Sequence, residues 1–95
     1  MKVEIPAQRK IIARYSEDAQ AMVHMEECGE LIQAISKMRR VKHAGKDDCD
    51  AYYNLVEEMA DVLICLEQLQ EMYDISNHEL QAMIDKKYLR QEARL

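Results

Sequence analysis

Two acidic clusters recur in this chain at one spacing. Glu26, Glu27 and Glu30 lie in MEECGELIQAISKM, residues 25–38, and Glu57, Glu58 and Asp61 lie in VEEMADVLICLEQL, residues 56–69, which is 31 positions later. The apolar residues coincide as well. Cys28, Leu31, Ile35 and Met38 fall on Met59, Val62, Leu66 and Leu69, a stripe at helical spacing. Glu27 and Glu30 are three apart and share a helix face, as do Glu58 and Asp61. If the two stripes pack together, four carboxylates converge along one edge of the seam. Such a group repels itself, and desolvating each charge costs several kcal/mol as a rough estimate. It must take up protons or hold a cation. Mg²⁺ suits it, being a hard ion that prefers oxygen ligands and keeps sites for water and phosphate. A single such pair is more simply a solvated helix face. The repetition beside an apolar stripe brings the two readings level on physics alone.

The composition requires helices to position these groups. Ninety-five residues allow one small domain, spanning 1–95, with little interior of its own, so a partner subunit would help. Hydrophobic residues make up 48%, which excludes a disordered chain. Two Gly and a single Pro, Pro6, leave the rest free to be helical. The net charge of −5 argues against nonspecific nucleic-acid binding. No apolar run is long enough for a signal peptide or a membrane span, so no membrane partner is expected and the cytoplasm is the default location. Cys28, Cys49 and Cys65 form no CxxC and read as small core or boundary residues in a reducing compartment.

The spacing predicts four helices, two of them long. A short helix over Ala7–Tyr15 would bury Ile11 and Ile12. Ser16 is an N-cap, with Glu17 and Asp18 in the first turn of a second helix reaching about Arg40. Gln20, His24 and Glu27 project along nearly one line, so His24 either faces the acidic cluster or serves as a polar boundary residue. Lys37, Arg39, Arg40 and Lys42 suit the helix C-terminus. Gly45 breaks the chain, Asp47 or Asp48 caps the next helix, and Cys49 to about Asp74 is the third. Its main stripe is Leu55, Met59, Val62, Leu66, Leu69 and Tyr73. Val56, Leu63 and Ile64 lie off that stripe, which points to a subunit interface. Asn54, about one turn before Glu58, either contacts a ligand or faces solvent. Ser76 and Glu79 form a capping box for a fourth helix. Leu80, Met83, Ile84 and Tyr88 line its apolar side, and Lys86, Lys87, Arg90 and Arg94 its basic side.

Glu26-Glu27-x-x-Glu30 followed after 27 residues by Glu58-x-x-Asp61 resembles the EExxE…ExxD signature of the MazG-like all-α nucleoside triphosphate pyrophosphohydrolases. Gln20 before the first motif, Leu31 after Glu30, and Val62 and Leu63 after Asp61 agree with the flanks. The resemblance covers roughly Ser16 to Arg90. It implies an all-α, four-helix MazG-like bundle that forms homodimers or homotetramers. It implies Mg²⁺ on Glu27, Glu30, Glu58 and Asp61, and cleavage of an NTP or dNTP to a monophosphate and pyrophosphate. Relatives often carry an Asn-x-Lys-aromatic-x-Arg run in the last helix. Lys87, Tyr88 and Arg90 fit that run, while Asp85 replaces the Asn and adds a negative charge.

A triphosphate brings more negative charge than one or two metal ions balance. Lys87 and Arg90 are the first candidates for its phosphates, Lys37 the next, and Gln20 and Asn54 are further candidate contacts. Lacking Trp and Phe, the chain would stack a base on Tyr15, Tyr52, Tyr53, Tyr73, Tyr88 or a His. Two alternatives stay open. One is a phosphoribosyl-ATP pyrophosphohydrolase, which shares the bundle and motifs. The other is a helical oligomerisation module that binds nucleotide without cleaving it. A di-iron bundle needs Glu-x-x-His pairs, which neither motif contains.

Overall fold

The two long helices are set by punctuation at their ends. In the computed structural model, which describes residues 1–95, Ser16 Oγ accepts a hydrogen bond from the Ala19 amide at 3.1 Å and starts α2, Glu17–His43. Its C-terminus closes as a Schellman motif. Gly45 sits at φ +66, the Gly45 amide donates to Lys42 and the Lys46 amide to Val41, each at 3.2 Å. α3, Cys49–Met72, begins after Asp48, whose own side chain makes no cap bond; Asp47 Oδ1 instead accepts from the Cys49 amide at 3.0 Å. α3 ends where Asp74 takes φ 58 and the Ile75 amide donates to Gln70 at 3.0 Å. Ser76 Oγ then accepts from the Glu79 amide at 3.0 Å and donates to the Glu79 carboxylate at 3.2 Å, starting α4, Asn77–Ala93. The first helix, α1, is shorter than expected and spans Arg9–Arg14. No helix is long and apolar enough to cross a membrane.

α2 and α3 form an antiparallel hairpin that holds most of the packing, α1 lies on α3, and there are no strands. The fold is all-α, as the resemblance implies. Every residue of α4 is exposed.

The interior differs from the stripe expected of the sequence. The buried residues are Ala34, Ala51 and Cys65, with the polar Gln8, Gln20, His24 and Gln68. Cys28, Ile35, Met59 and Leu66 are exposed, so the predicted apolar seam lies largely open. Ile11 is also exposed and Ile12 only half-buried, while Gln8, just before α1, is buried and hydrogen-bonded to Glu71 and Gln68 on α3. Cys28 and Cys49 lie on the surface rather than in a core, and only Cys65 is buried. The physical reason is one of dimensions. Two helices and a short third bury one line of residues between them, and the remaining apolar faces have nothing in the same chain to meet. The accessible surface is 8047 Å², against about 5,700 Å² for a compact monomer of this mass. The radius of gyration is 16.1 Å, against roughly 12 Å for a compact chain of this length.

Because the Ser16 cap starts the longest helix, Ser16→Ala should lower unfolding stability by about 1 kcal/mol in urea denaturation. An unchanged midpoint would show that the cap bond contributes nothing.

Candidate metal centre

α2 and α3 run antiparallel, so Gln20 pairs with Gln68, Glu27 comes level with Asp61, and Glu30 with Glu58. Oxygens of Glu27, Glu30, Glu58 and Asp61 all lie within 4.8 Å of one another. Glu27, Glu58 and Asp61 are half-buried in the seam, and Glu30 is exposed at its rim. Glu26 and Glu57 point away to solvent.

No cation in the chain balances this group. The only ion pair joins Lys42 to Asp48 in the hairpin loop. One carboxylate oxygen each on Glu27 and Glu58 is buried without a hydrogen-bond partner. Burial, followed by the charges of Glu30, Asp61 and Glu58, raises the Glu27 pKa. Burial and then Glu30 raise that of Glu58. The donor set is oxygen only. Cys65, one turn beyond Asp61, is pushed up to about 11 by burial and by the neighbouring Glu27, so it stays a thiol and offers no soft ligand at neutral pH. Orphaned buried oxygens in an all-carboxylate set fit a hard divalent cation.

A family model described as the MazG nucleotide pyrophosphohydrolase domain matches residues 16–94. The chain belongs to this family. No curated protein and no solved structure matches it.

The MazG chain presents two different surfaces beside its four carboxylates. Glu30 and Glu58 open onto a polar groove of about 470 Å³, lined also by Gln33, Lys37, Arg40 and Asn54. Glu27 and Asp61 open onto a smaller cleft of about 240 Å³ that includes Gln20 and Gln68. Lys37 and Asn54 therefore lie together with the carboxylates. Gln20 lies on the other side, 94% buried. His24 is buried rather than at a boundary, and its Nε2 is 2.8 Å from Gln68 Oε1. Lys87 and Arg90 line neither surface, because α4 does not fold back over the hairpin of its own chain. No tyrosine lines either one.

Arg40 and Gln33 are groove residues that the sequence did not single out for this role. The signal was present, since Gln33, Lys37 and Arg40 continue the line of Glu30 at steps of three and four. As a helix-end cation, however, Arg40 had a sufficient structural explanation. Gln68 gave no chemical signal, since a glutamine two turns beyond Asp61 resembles any polar surface residue.

Glu27 and Glu58 hold a proton more tightly folded than unfolded. Their contribution favours folding fully below the ordinary value of 4.5 and is lost as pH rises through the raised values. In the metal-free protein, Glu58→Gln should therefore flatten the fall in urea midpoint as pH rises from 4 toward neutrality. Parallel profiles for variant and wild type would mean that Glu58 carries no such strain.

Proposed function

We propose that this chain is a Mg²⁺-dependent nucleoside triphosphate pyrophosphohydrolase that cleaves the α–β phosphoanhydride of an NTP or dNTP. The observation that carries the reading is the change of sign along the seam. Four carboxylates stand where a metal-bound phosphate would react, and the groove leading from Glu30 and Glu58 continues to two cations. Neither cation is used elsewhere in an ion pair; Arg40 donates only to Ser36 Oγ, at 3.0 Å. Arg40 also lines the adjoining depression with Arg39, Lys42 and His43, so positive charge continues outward from the groove. The family match supports the reaction class.

Glu27, Glu30, Glu58 and Asp61 would hold the ion. When bound, it supplies neutralisation of the phosphate oxygens and a more acidic water. Lys37 and Arg40 bind the leaving pyrophosphate, Arg40 as a planar fork and Lys37 as a point charge. Asn54 and Gln33 donate to phosphate oxygens from their amides. A carboxylate oxygen of Glu27 or Glu58 left free of metal takes the proton of the attacking water. The open apolar faces of α2 and α3 are covered by a second copy in a homodimer or homotetramer. Lys87 and Arg90 reach a phosphate only from another copy, so the primary cationic role falls to Lys37 and Arg40.

Pyrophosphate release, measured with Mg²⁺ across an NTP and dNTP panel that includes phosphoribosyl-ATP, tests the reading. Glu58→Gln and Asp61→Asn should abolish release with the fold intact. Lys37→Ala and Arg40→Ala should each cost about tenfold to a hundredfold in kcat/KM, the effect of about 1–3 kcal/mol of charge-assisted hydrogen bonding. Near-wild-type turnover in the carboxylate variants would refute the metal assignment. A larger loss in Lys87→Ala and Arg90→Ala than in the groove variants would move the phosphate contacts to α4. Light scattering at micromolar concentration should give a dimer or larger, and a well-folded monomer would refute the assembly.

A further inference from the structure

The cleft beyond Glu27 and Asp61 holds a chain of amides whose direction is fixed at one end. The Pro6 carbonyl can only accept, so the group 2.9 Å from it must be Gln8 Nε2. Gln8 Oε1 therefore faces Gln68, which must present its Nε2, at 3.0 Å. That leaves Gln68 Oε1 to accept from His24 Nε2 at 2.8 Å and, at a long 3.5 Å, from Gln20 Nε2. Each amide is oriented by the one before it, which is how such directions are assigned. Two acceptors remain at the far end. His24 Nδ1 is buried without a partner. Gln20 lines the cleft, and its Oε1 accepts no hydrogen bond from the protein. Unlike His24 Nδ1, Gln20 Oε1 is not sealed from solvent, so it is open to a donor carried by a bound group.

The walls of the cleft say what kind of group carries that donor. Ile11, Val23 and Ile64 line it. Aliphatic walls with one oriented amide suit a flat, mostly apolar ring that offers an N–H at its edge, and they do not suit a phosphate. The cleft and the cationic groove lie at opposite sides of the same four carboxylates. A nucleotide reacting at the carboxylates with its leaving phosphates toward Lys37 and Arg40 therefore points its nucleoside toward Gln20.

Resting on the pyrophosphohydrolase reading, we propose that this cleft receives the nucleobase and selects one with an amino group at C4 of a pyrimidine or C6 of a purine, as in cytosine or adenine, over the keto bases uracil and guanine, which carry an oxygen at that position. Gln20 Oε1 accepts from that amino group. Gln68 and His24 are positioning residues that keep the Gln20 carbonyl, rather than its NH₂, turned to the base. A keto base places an oxygen opposite Gln20 Oε1, so two acceptors meet and binding weakens. Loss of a hydrogen bond that a site is built to make discriminates far more strongly than a change of size.

The test compares kcat/KM for dCTP and dATP with that for dUTP and dGTP, and in parallel the equilibrium binding of the four corresponding monophosphates. Wild type should favour an amino base by at least about tenfold in both measurements, and the cytosine and adenine arms show which ring fits. Gln20→Met should bring the ratio to near one. Gln68→Met should narrow it by freeing the Gln20 amide to turn, a change that loss of packing alone would not produce. Val23→Phe, at an exposed wall position, leaves the buried network alone and should raise the KM for nucleotides about tenfold by filling the cleft. Base-selective binding without pyrophosphate release would refute the catalytic reading and leave the cleft assignment standing. Pyrophosphate release with no preference for amino bases, or a preference that survives Gln20→Met, would overturn the cleft assignment alone. An unchanged KM in Val23→Phe would place the base elsewhere.

Discussion

Four carboxylates share one stretch of helix seam with no cation of the chain among them. This is the constraint on which the rest of the structure depends. Carboxylate oxygens within 4.8 Å of one another repel, and together with burial this raises the pKa of Glu27 and Glu58. The chain tolerates them because the two helices are long, firmly punctuated at both ends, and joined by a tight turn. The Ser16 cap and the Gly45 Schellman closure fix the register that brings Glu27 level with Asp61 and Glu30 level with Glu58. A slip of one residue would rotate one carboxylate pair out of the seam. The unpartnered oxygens on Glu27 and Glu58 are buried in the seam with no donor of the chain to satisfy them.

The same constraint explains an interior that is more polar than apolar. Carboxylates in the middle of the seam interrupt the hydrophobic packing between α2 and α3. At one end the seam is closed by the Gln8–Gln68–His24–Gln20 network. At the other it opens toward Lys37 and Arg40. Burial that an ordinary small domain makes inside one chain is deferred here to apolar faces that remain open. One hairpin thus carries a sign change along its length and leaves the apolar residues of its outer sides exposed.

Much of this was legible in the residues. The paired acidic spacing located the cluster because i, i+3 carboxylates on two helices can meet in only a few ways. Ser16, Gly45 and Ser76 marked helix ends through local hydrogen bonding and backbone conformation, which depend on few neighbours. The amide network was not legible. Gln8, Gln20 and Gln68 are far apart in sequence, and a glutamine at a helical position reads the same whether it faces water or a buried partner. The apolar stripe was legible as a stripe, but periodicity does not say what covers it, and here most of it is not covered by the chain itself. Lys87 and Arg90 were attractive by charge, yet their distance from the seam depends on how α4 packs, which no local pattern encodes.

The central claim is that the four carboxylates are a site for a divalent cation rather than a solvated acidic patch. Thermal unfolding at neutral pH, with Mg²⁺ titrated into metal-free protein, tests it most directly. A ligand that binds only the folded state raises the unfolding midpoint by mass action. The account predicts a saturable rise in wild type that is lost in both Glu58→Gln and Asp61→Asn. Equal shifts in wild type and in both variants, or no shift in any of them, would contradict it.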